Sequence, residues 1–269
     1  MKKLKVSLVL ASILMLPLAQ VAAEEDEFGT AGKKETPAAA APSGPVTAVD
    51  AATSATIKGK ILFKGTAPQP KPIKMDADPN CVAMHSEPVM DKSVVIGDGG
   101  AFENVFVYID KGLEGKNFAV PTEAAVFDQK GCEYHPRVFG VRAGQPLEII
   151  NSDPTLHNVH AMPAASSPFN VGMPIQGMKI KKTFDKAEQM VQIKCDVHPW
   201  MNAYIGVMDH PYFATTGNDG SFELKNVPPG TYEIVAWQEK AGKQTQSVTV
   251  GAKETKEVDF TFERPAKAE

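Results

Sequence analysis

Residues 195–201 read Cys-Asp-Val-His-Pro-Trp-Met and hold three metal-binding side chains: a thiolate, an imidazole and a thioether. A second imidazole is available upstream, in the run Leu-His-Asn-Val-His at 156–160. Two histidines, one cysteine and a weak axial methionine are the ligand set of mononuclear copper sites that transfer electrons. The two segments together therefore predict a site for one copper ion that alternates between Cu(I) and Cu(II).

The spacing within residues 195–201 suits a metal that changes oxidation state. Cu(I) prefers sulfur, imidazole binds both states, and a trigonal plane of two imidazoles and a thiolate is acceptable to each. Pro199 fixes one φ angle, which limits rearrangement of the loop between the two states. Zinc is disfavoured, because structural zinc sites are built from cysteine and histidine and a thioether is a poor zinc ligand.

Short strands must position these two segments. Apolar alternation predicts strands at 56–63, 102–109, 125–128, 138–142, 147–151, 178–184, 190–195 and 203–208. Glycine, proline, asparagine or aspartate separates most of them, and no sustained helical period appears. The pattern indicates an all-β protein with a Greek-key sandwich or barrel.

The placement of the ligands depends on this β-topology. Cys195 ends a strand on which Val191 and Ile193 share its face, so its sulfur is expected to point inward. His157 is expected in a loop after the strand 147–151 and lies 38 residues before Cys195. The fold must bring the two residues together, so the predicted site is correct only if the predicted topology is correct.

The chain after Met208 has a different pattern. Further strands are predicted at 221–224, 232–237, 246–250 and 257–262, with turns at 215–220 and 228–230. The residues Thr216, Asp219, Gly220, Phe222, Leu224, Val227, Pro228, Pro229, Gly230 and Tyr232 resemble the signature of carboxypeptidase-regulatory-like, transthyretin-type β-sandwiches. That resemblance implies a second small sandwich over 211–265. Its first strand is absent immediately upstream and could be supplied by 56–64, which leaves a tandem arrangement and an inserted copper domain both open.

The copper segments themselves resemble the cupredoxins, the small blue-copper proteins, and amicyanin in particular. The similarity covers 137–208 and rests on the Cys-x-x-His-Pro-aromatic-Met loop and on His-Asn-Val-His beginning at His157. It implies a type 1 copper ion bound by His157, Cys195, His198 and Met201. It further implies that Asn158 braces the cysteine loop, with Pro199 behind the ligands, and that the edge of the His198 ring is the electron port. The region 69–131 has no counterpart in the smallest members.

Three cysteines are an odd number for a chain that is expected to be exported, where disulfides form. If Cys195 binds the metal, Cys81 and Cys132 are left to pair, which would close a loop worth about 4 kcal/mol. One alternative places Cys195 in a disulfide and removes the metal. Another joins Cys81, His85, Cys132 and His135 in a second metal site.

Other side chains are weaker candidates for a functional role. His160 would face away from His157 on an extended chain, as a surface imidazole or a substitute ligand. His210 is predicted to be a loop residue. Scattered methionines could form a Cu(I) array but are more typical of core packing. Trp200 is expected to pack beside the ligand loop and to offer an apolar docking patch for a redox partner.

The N-terminal region predicts export. Residues 1–23 have a basic start, an apolar stretch and a small-residue cleavage site, which is typical of a signal peptide. Residues 24–53 are rich in alanine and proline and predict a disordered linker, followed by a copper domain at 54–210. No other stretch is long and apolar enough to span a membrane. The predicted location is the periplasm or the extracellular space.

Composition excludes several functions. The formal net charge is −4 and no basic stripe is present, which argues against a nucleic-acid partner. Six histidines dispersed along the chain argue against a trinuclear copper cluster, and no nucleophile–base or phosphate-loop motif indicates an enzyme. The sequence favours a one-electron carrier with redox protein partners and leaves its oligomeric state open. The alternatives are a periplasmic copper storage or delivery protein and a cell-surface sandwich with a vestigial metal site.

Overall fold

The computed structural model describes residues 45–263. The predicted signal peptide and linker residues 24–44 lie outside this range. Within it, none of the helices has the length and apolar character that a membrane crossing requires.

Strands dominate the described residues, which confirms the all-β prediction. The N-terminal part contains β1 Ala55–Lys64, the one-turn helix α1 Pro79–Ala83, β2 Val95–Ile96, β3 Phe102–Glu103 and β4 Phe106–Lys111. The central part contains β5 Ala125–Lys130, β6 Glu133–His135, β7 Val138–Arg142, β8 Pro146–Asn151, β9 His157–Ala161, β10 Phe169–Met173, β11 Lys179–Thr183, β12 Glu188–Lys194 and β13 Asn202–Met208. The C-terminal part contains β14 Phe213–Thr215, β15 Ser221–Val227, β16 Gly230–Gln238, β17 Gly242–Val250, β18 Thr255–Glu257 and β19 Phe260–Glu263.

Four sheets form two sandwiches. Sandwich A consists of the sheet β15-β1-β18, with β19 also paired to β1, and the sheet β14-β4-β16-β17. Sandwich B consists of the sheets β10-β9-β12-β13-β7 and β11-β8-β5-β6. Each sandwich has its own apolar core, because alternate residues of its strands point inward. In β8, for example, Leu147, Ile149 and Asn151 are buried while the residues between them are partly exposed.

The strand pairing crosses the domain boundary expected at 210. Strand β1 pairs with β15, β18 and β19, and β4 pairs with β14 and β16. The sequence interpretation placed 102–109 within the copper domain expected at 54–210. In the structure it is divided into β3 and β4, and Phe102, Val107 and Ile109 are packed in the core of sandwich A.

A tight seam joins the two sandwiches. The ring of Phe106 on β4 lies against Gly206 of β13, where an added Cβ would be 2.3 Å from Phe106 Cε1. Gly140 of β7 is similar, with an added Cβ 2.4 Å from the ring of Phe213. These glycines therefore leave room for the aromatic rings that cover this face of sandwich B.

The described end of the predicted linker is attached to the fold. The backbone N–H of Thr47 donates to the carbonyl of Asn117, and the Thr47 hydroxyl accepts from the N–H of Asn117. Asp50 caps a turn by accepting from Ala52 and Ser54. Residues 45–53 are thus attached to the domain that follows, through Thr47 and through the Thr53 carbonyl, which accepts from the N–H of Lys253.

Candidate metal centre

Two neighbouring strands of sandwich B bring the predicted ligands together. His157 is the first residue of β9 rather than part of a loop, and β9 pairs with β10 and with β12. Cys195 follows β12, and residues 195–201 connect β12 to β13. The connection is closed by hydrogen bonds from Cys195 N–H to the Met201 carbonyl and from Met201 N–H to the His198 carbonyl.

Three ligand atoms converge in the interior. The Nδ1 atoms of His157 and His198 are 2.9 Å apart, and the Cys195 sulfur is 3.9 Å from His198 Nδ1. All three donors lie within 4.8 Å of one another. The three residues are almost completely buried, with exposed fractions of 0–2%. The topology therefore places the two distant segments at one point.

Asn158 connects the two segments. Its side-chain oxygen accepts from the N–H of Asp196 at 2.6 Å and from the Cys195 thiol at 3.3 Å. The Tyr134 hydroxyl donates to the Asn158 carbonyl. These hydrogen bonds connect the start of β9 to the loop that follows β12.

The far sides of both imidazoles face carboxylates that the sequence interpretation did not include. His157 Nε2 is 2.9 Å from Asp153 Oδ2, and His198 Nε2 is 3.0 Å from Asp78 Oδ2. Asp153 was recognisable in principle, since it precedes His157 by four residues. Asp78 was not, because 120 residues separate it from His198.

A disulfide covers the same end of the sandwich. Cys81 of α1 and Cys132 are joined, and Cys195 carries a free thiol. The Cys81 sulfur lies 3.6 Å from His198 Nε2, and the Cys132 N–H donates to Asp153. The His198 edge that the resemblance implied as an electron port is therefore not exposed, because Asp78 and α1 cover it.

These contacts fix which ring nitrogens carry protons. An ionised carboxylate only accepts hydrogen bonds, so the Nε2 atom of each imidazole must donate to its aspartate. In neutral rings both Nδ1 atoms then present lone pairs to each other across 2.9 Å. Two buried lone pairs and a nearby sulfur need a cation among them, either a proton or a metal ion. The donor set of two imidazoles, one thiolate and an adjacent thioether residue fits copper.

The pKa shifts follow from the same network. Burial alone would raise the pKa of Cys195, but the neighbouring His157 ring and nearby backbone amides outweigh it and lower the pKa of the thiol. Burial opposes protonation of His157, yet its contacts with Asp153 and Cys195 raise its pKa. For His198 burial prevails, and its pKa is lowered. These shifts make the Cys195 thiol easier to deprotonate and the His157 ring easier to protonate.

The other predicted site residues lie close by. Met201 is buried in the same core as Cys195. Pro199 lies between His198 and Trp200 in the loop. The Trp200 ring centroid is 5.0 Å from that of His198, and its indole N–H donates to the Cys132 carbonyl. Trp200 is partly exposed and packs beside the loop.

The remaining histidines have other partners. His160 contacts Asp196 on the surface, and His210 is buried near the Ile109 carbonyl. His85 and His135 each lie beside a backbone carbonyl. Because the disulfide uses Cys81 and Cys132, the second metal site considered from the sequence does not form in the described residues.

Comparisons with known proteins give one family match and several partial structural likenesses. A family model described as the carboxypeptidase regulatory-like domain matches residues 198–263. A copper-containing nitrite reductase from Thermus scotoductus is 20% identical, with a TM-score of 0.31 over 38% of this chain and 25% of that one. No curated protein is similar enough to this chain to count as a relative.

Two small copper proteins are covered almost completely. A purple cupredoxin from Nitrosopumilus maritimus is 18% identical with a TM-score of 0.27, over 31% of this chain and 99% of that one. An amicyanin variant in its reduced state is 23% identical with a TM-score of 0.29, over 38% of this chain and 98% of that one. These likenesses are partial, so the case for a metal centre rests on the side chains described above.

Proposed function

We propose that this protein is an exported one-electron carrier that holds one type 1 copper ion between His157, Cys195 and His198, with Met201 as the weak axial ligand. The observation that supports this most directly is the pair of imidazole Nδ1 atoms, 2.9 Å apart beside a buried sulfur, with both Nε2 atoms held by carboxylates. Such an arrangement is electrostatically incomplete without a cation. Copper would accept and release one electron reversibly, and the protein supplies a fixed set of ligand atoms.

Burial favours a carrier over a delivery protein. A delivery site must exchange its ion with a partner's ligands, whereas the three donors here are closed off from solvent. Asn158, Asp153 and Asp78 also hold the donors from behind, which limits the rearrangement that release of the ion would require. Storage and delivery therefore fit the geometry less well than electron transfer, which needs contact but no ligand exchange.

The covered His198 edge redirects the electron path. Trp200 contacts the His198 ring and lines a cleft of about 530 Å³ that Met201 also borders. Residues Arg137, Glu239 and Lys240 line the same cleft, which gives it a mixed-charge rim. We propose that electrons exchange with a redox protein through Trp200 at this cleft.

The nested strand pairing suggests a role for sandwich A. Because β1 and β4 precede sandwich B in the chain while β14 to β19 follow it, we propose that the copper region is inserted into a regulatory-like sandwich. Because of this insertion, both ends of the sandwich B chain are attached to sandwich A. The disulfide agrees with an oxidising compartment outside the cytoplasm.

Copper loading tests the proposal. The purified chain without its leader is titrated with Cu(II) and examined by metal analysis, visible spectroscopy and voltammetry. We expect one copper per chain, an intense visible band and a reversible one-electron wave.

Cys195→Ser is the matched variant, because it removes the thiolate and keeps the disulfide. It should abolish the visible band and the wave. A colourless wild-type complex that loses copper rapidly to a chelator would support delivery instead, and a chain that binds no copper would refute the proposal.

A further inference from the structure

We propose that Asp78 and Asp153 are positioning residues of the copper centre, each of which holds one ligand imidazole with Nδ1 toward the metal and adds negative charge that favours Cu(II). The inference rests on the proposed copper site and goes beyond its ligands. It concerns two side chains that do not touch the metal and that come from different parts of the fold.

Asp153 is held rigidly. Its side chain is 3% exposed, and its two oxygens accept from the N–H groups of Gly131 and Cys132 at 2.7 and 2.8 Å. Its own N–H donates to the Asn151 side chain at 3.0 Å. The oxygen that contacts His157 Nε2 therefore has little freedom, and the orientation of the ring follows from it.

Asp78, which precedes α1, holds the His198 ring in the same way. It caps α1 by accepting from the N–H of Asn80 at 2.8 Å, and its other oxygen accepts from the Thr155 hydroxyl at 2.8 Å. That second oxygen is the one that faces His198 Nε2 at 3.0 Å. Thr155 lies between Asp153 and His157 in sequence, so the two carboxylates are connected by a single short loop.

The disulfide fixes both carboxylates together. Cys81 lies within the helix that Asp78 caps, and the N–H of Cys132 donates to Asp153. One covalent bond thus joins the two backbone segments that hold the carboxylates. This explains why a disulfide is placed at the end of the sandwich that carries the ligands.

The negative charges of the two carboxylates then favour one oxidation state of the metal. A Cu(II)–thiolate unit carries one more positive charge than a Cu(I)–thiolate unit, so nearby carboxylates stabilise the oxidised state more than the reduced state. Outer partners of metal-bound imidazoles typically change metal affinity by about 10–100-fold when they are removed. Both imidazoles here have such a partner, so the bias should be measurable for each aspartate separately.

The test compares three isosteric variants, Asp78→Asn, Asp153→Asn and Asp76→Asn. Asp76 is exposed, lies two residues before Asp78, and its replacement changes the net charge equally. For the first two variants we expect the ratio of Cu(II) to Cu(I) affinity to fall about tenfold, which raises the one-electron potential by about 59 mV. Asp76→Asn should leave the potential unchanged.

The outcomes separate this inference from the proposed function. If the wild type binds copper but Asp78→Asn behaves like Asp76→Asn, the positioning role is wrong and the carrier stands. If Asp153→Asn fails to fold, Asp78→Asn still decides.

Nitrogen NMR of the metal-free wild type provides a test that needs no copper. Both imidazoles should carry a proton on Nε2. A His198 ring protonated at Nδ1 and bare at Nε2 would overturn the inference even if the chain binds no copper.

Discussion

The two sandwiches differ in what they bury. The core of sandwich A is mostly apolar, with Phe102, Phe222 and Phe260 among its buried side chains, and Thr216 and Gln238 are buried polar side chains at its edges. Sandwich B buries a polar group at one end, made up of Gln129, Asn151, Asp153, His157, Asn158 and His198. Both combine antiparallel pairs with parallel ones, such as β1 with β18 and β5 with β8, so the difference lies in the side chains and not in the kind of pairing.

This difference separates a sandwich that serves as support from one that carries a candidate metal centre. A buried polar group costs free energy unless it is hydrogen-bonded, and even a satisfied network rarely improves on an apolar core. Sandwich A buries fewer polar side chains and is expected to be the more stable part. The polar end of sandwich B is stabilised by a covalent bond instead, which suggests that its composition is retained for binding an ion.

Removal of the disulfide should have the largest effect on stability, and it should fall on sandwich B. The bridge between Cys81 and Cys132 spans a sequence separation of 51 residues, and the double variant Cys81→Ala/Cys132→Ala should lose about 4 kcal/mol of unfolding free energy. Denaturant unfolding followed by tryptophan fluorescence measures the loss. An unchanged midpoint would contradict the view that this end needs covalent support.

The seam between the sandwiches gives the next largest effect. Gly206→Ala would place a methyl group against the Phe106 ring, so we expect overpacking to cost about 1–3 kcal/mol of unfolding free energy. Gly172→Ala on β10 is the matched control, since its nearest atom would be 4.0 Å away. Equal stabilities for the two variants would show that the sandwiches are not tightly packed at this point.

Sequence reasoning predicted the strands around the ligands well. The alternation of Val191 and Ile193 placed Cys195 inward, and the structure buries all three. It missed β9, because the run from His157 to Ala161 contains two histidines and an asparagine, which are not typical of a strand in which four of five residues are buried. Such a strand is recognised only when its neighbours are known.

The cover over His198 could not have been predicted. The helix α1 has only five residues and no apolar period, and its position depends on a disulfide and on a capping aspartate. The assignment of 102–109 to the copper region had a similar origin, because nothing local in an alternating strand shows which sheet it will join. In both cases the decisive contacts connect residues far apart in the chain.

Substitution of the axial ligand should have a smaller effect, confined to sandwich B. Met201→Leu keeps the volume of a buried side chain and removes the thioether, so the free energy of unfolding should change by less than about 1.5 kcal/mol. Copper should stay bound, and the potential should rise by about 59 mV, the equivalent of a tenfold change in affinity ratio. A lowered potential or complete loss of copper would argue against an axial role.

The two tryptophans offer the finest comparison, because one lies in each sandwich. Trp200→Phe keeps an aromatic ring beside His198 but removes the indole hydrogen bond to Cys132, which should cost about 1 kcal/mol. Trp237→Phe on β16 is the control and lies against Tyr204 at the seam. If electrons leave through the cleft, the first variant should exchange electrons with a soluble oxidant more slowly than the second, with the potential unchanged in both. Equal rates in stopped-flow oxidation would mean that electrons leave the copper centre at another surface, such as the one around Asp78.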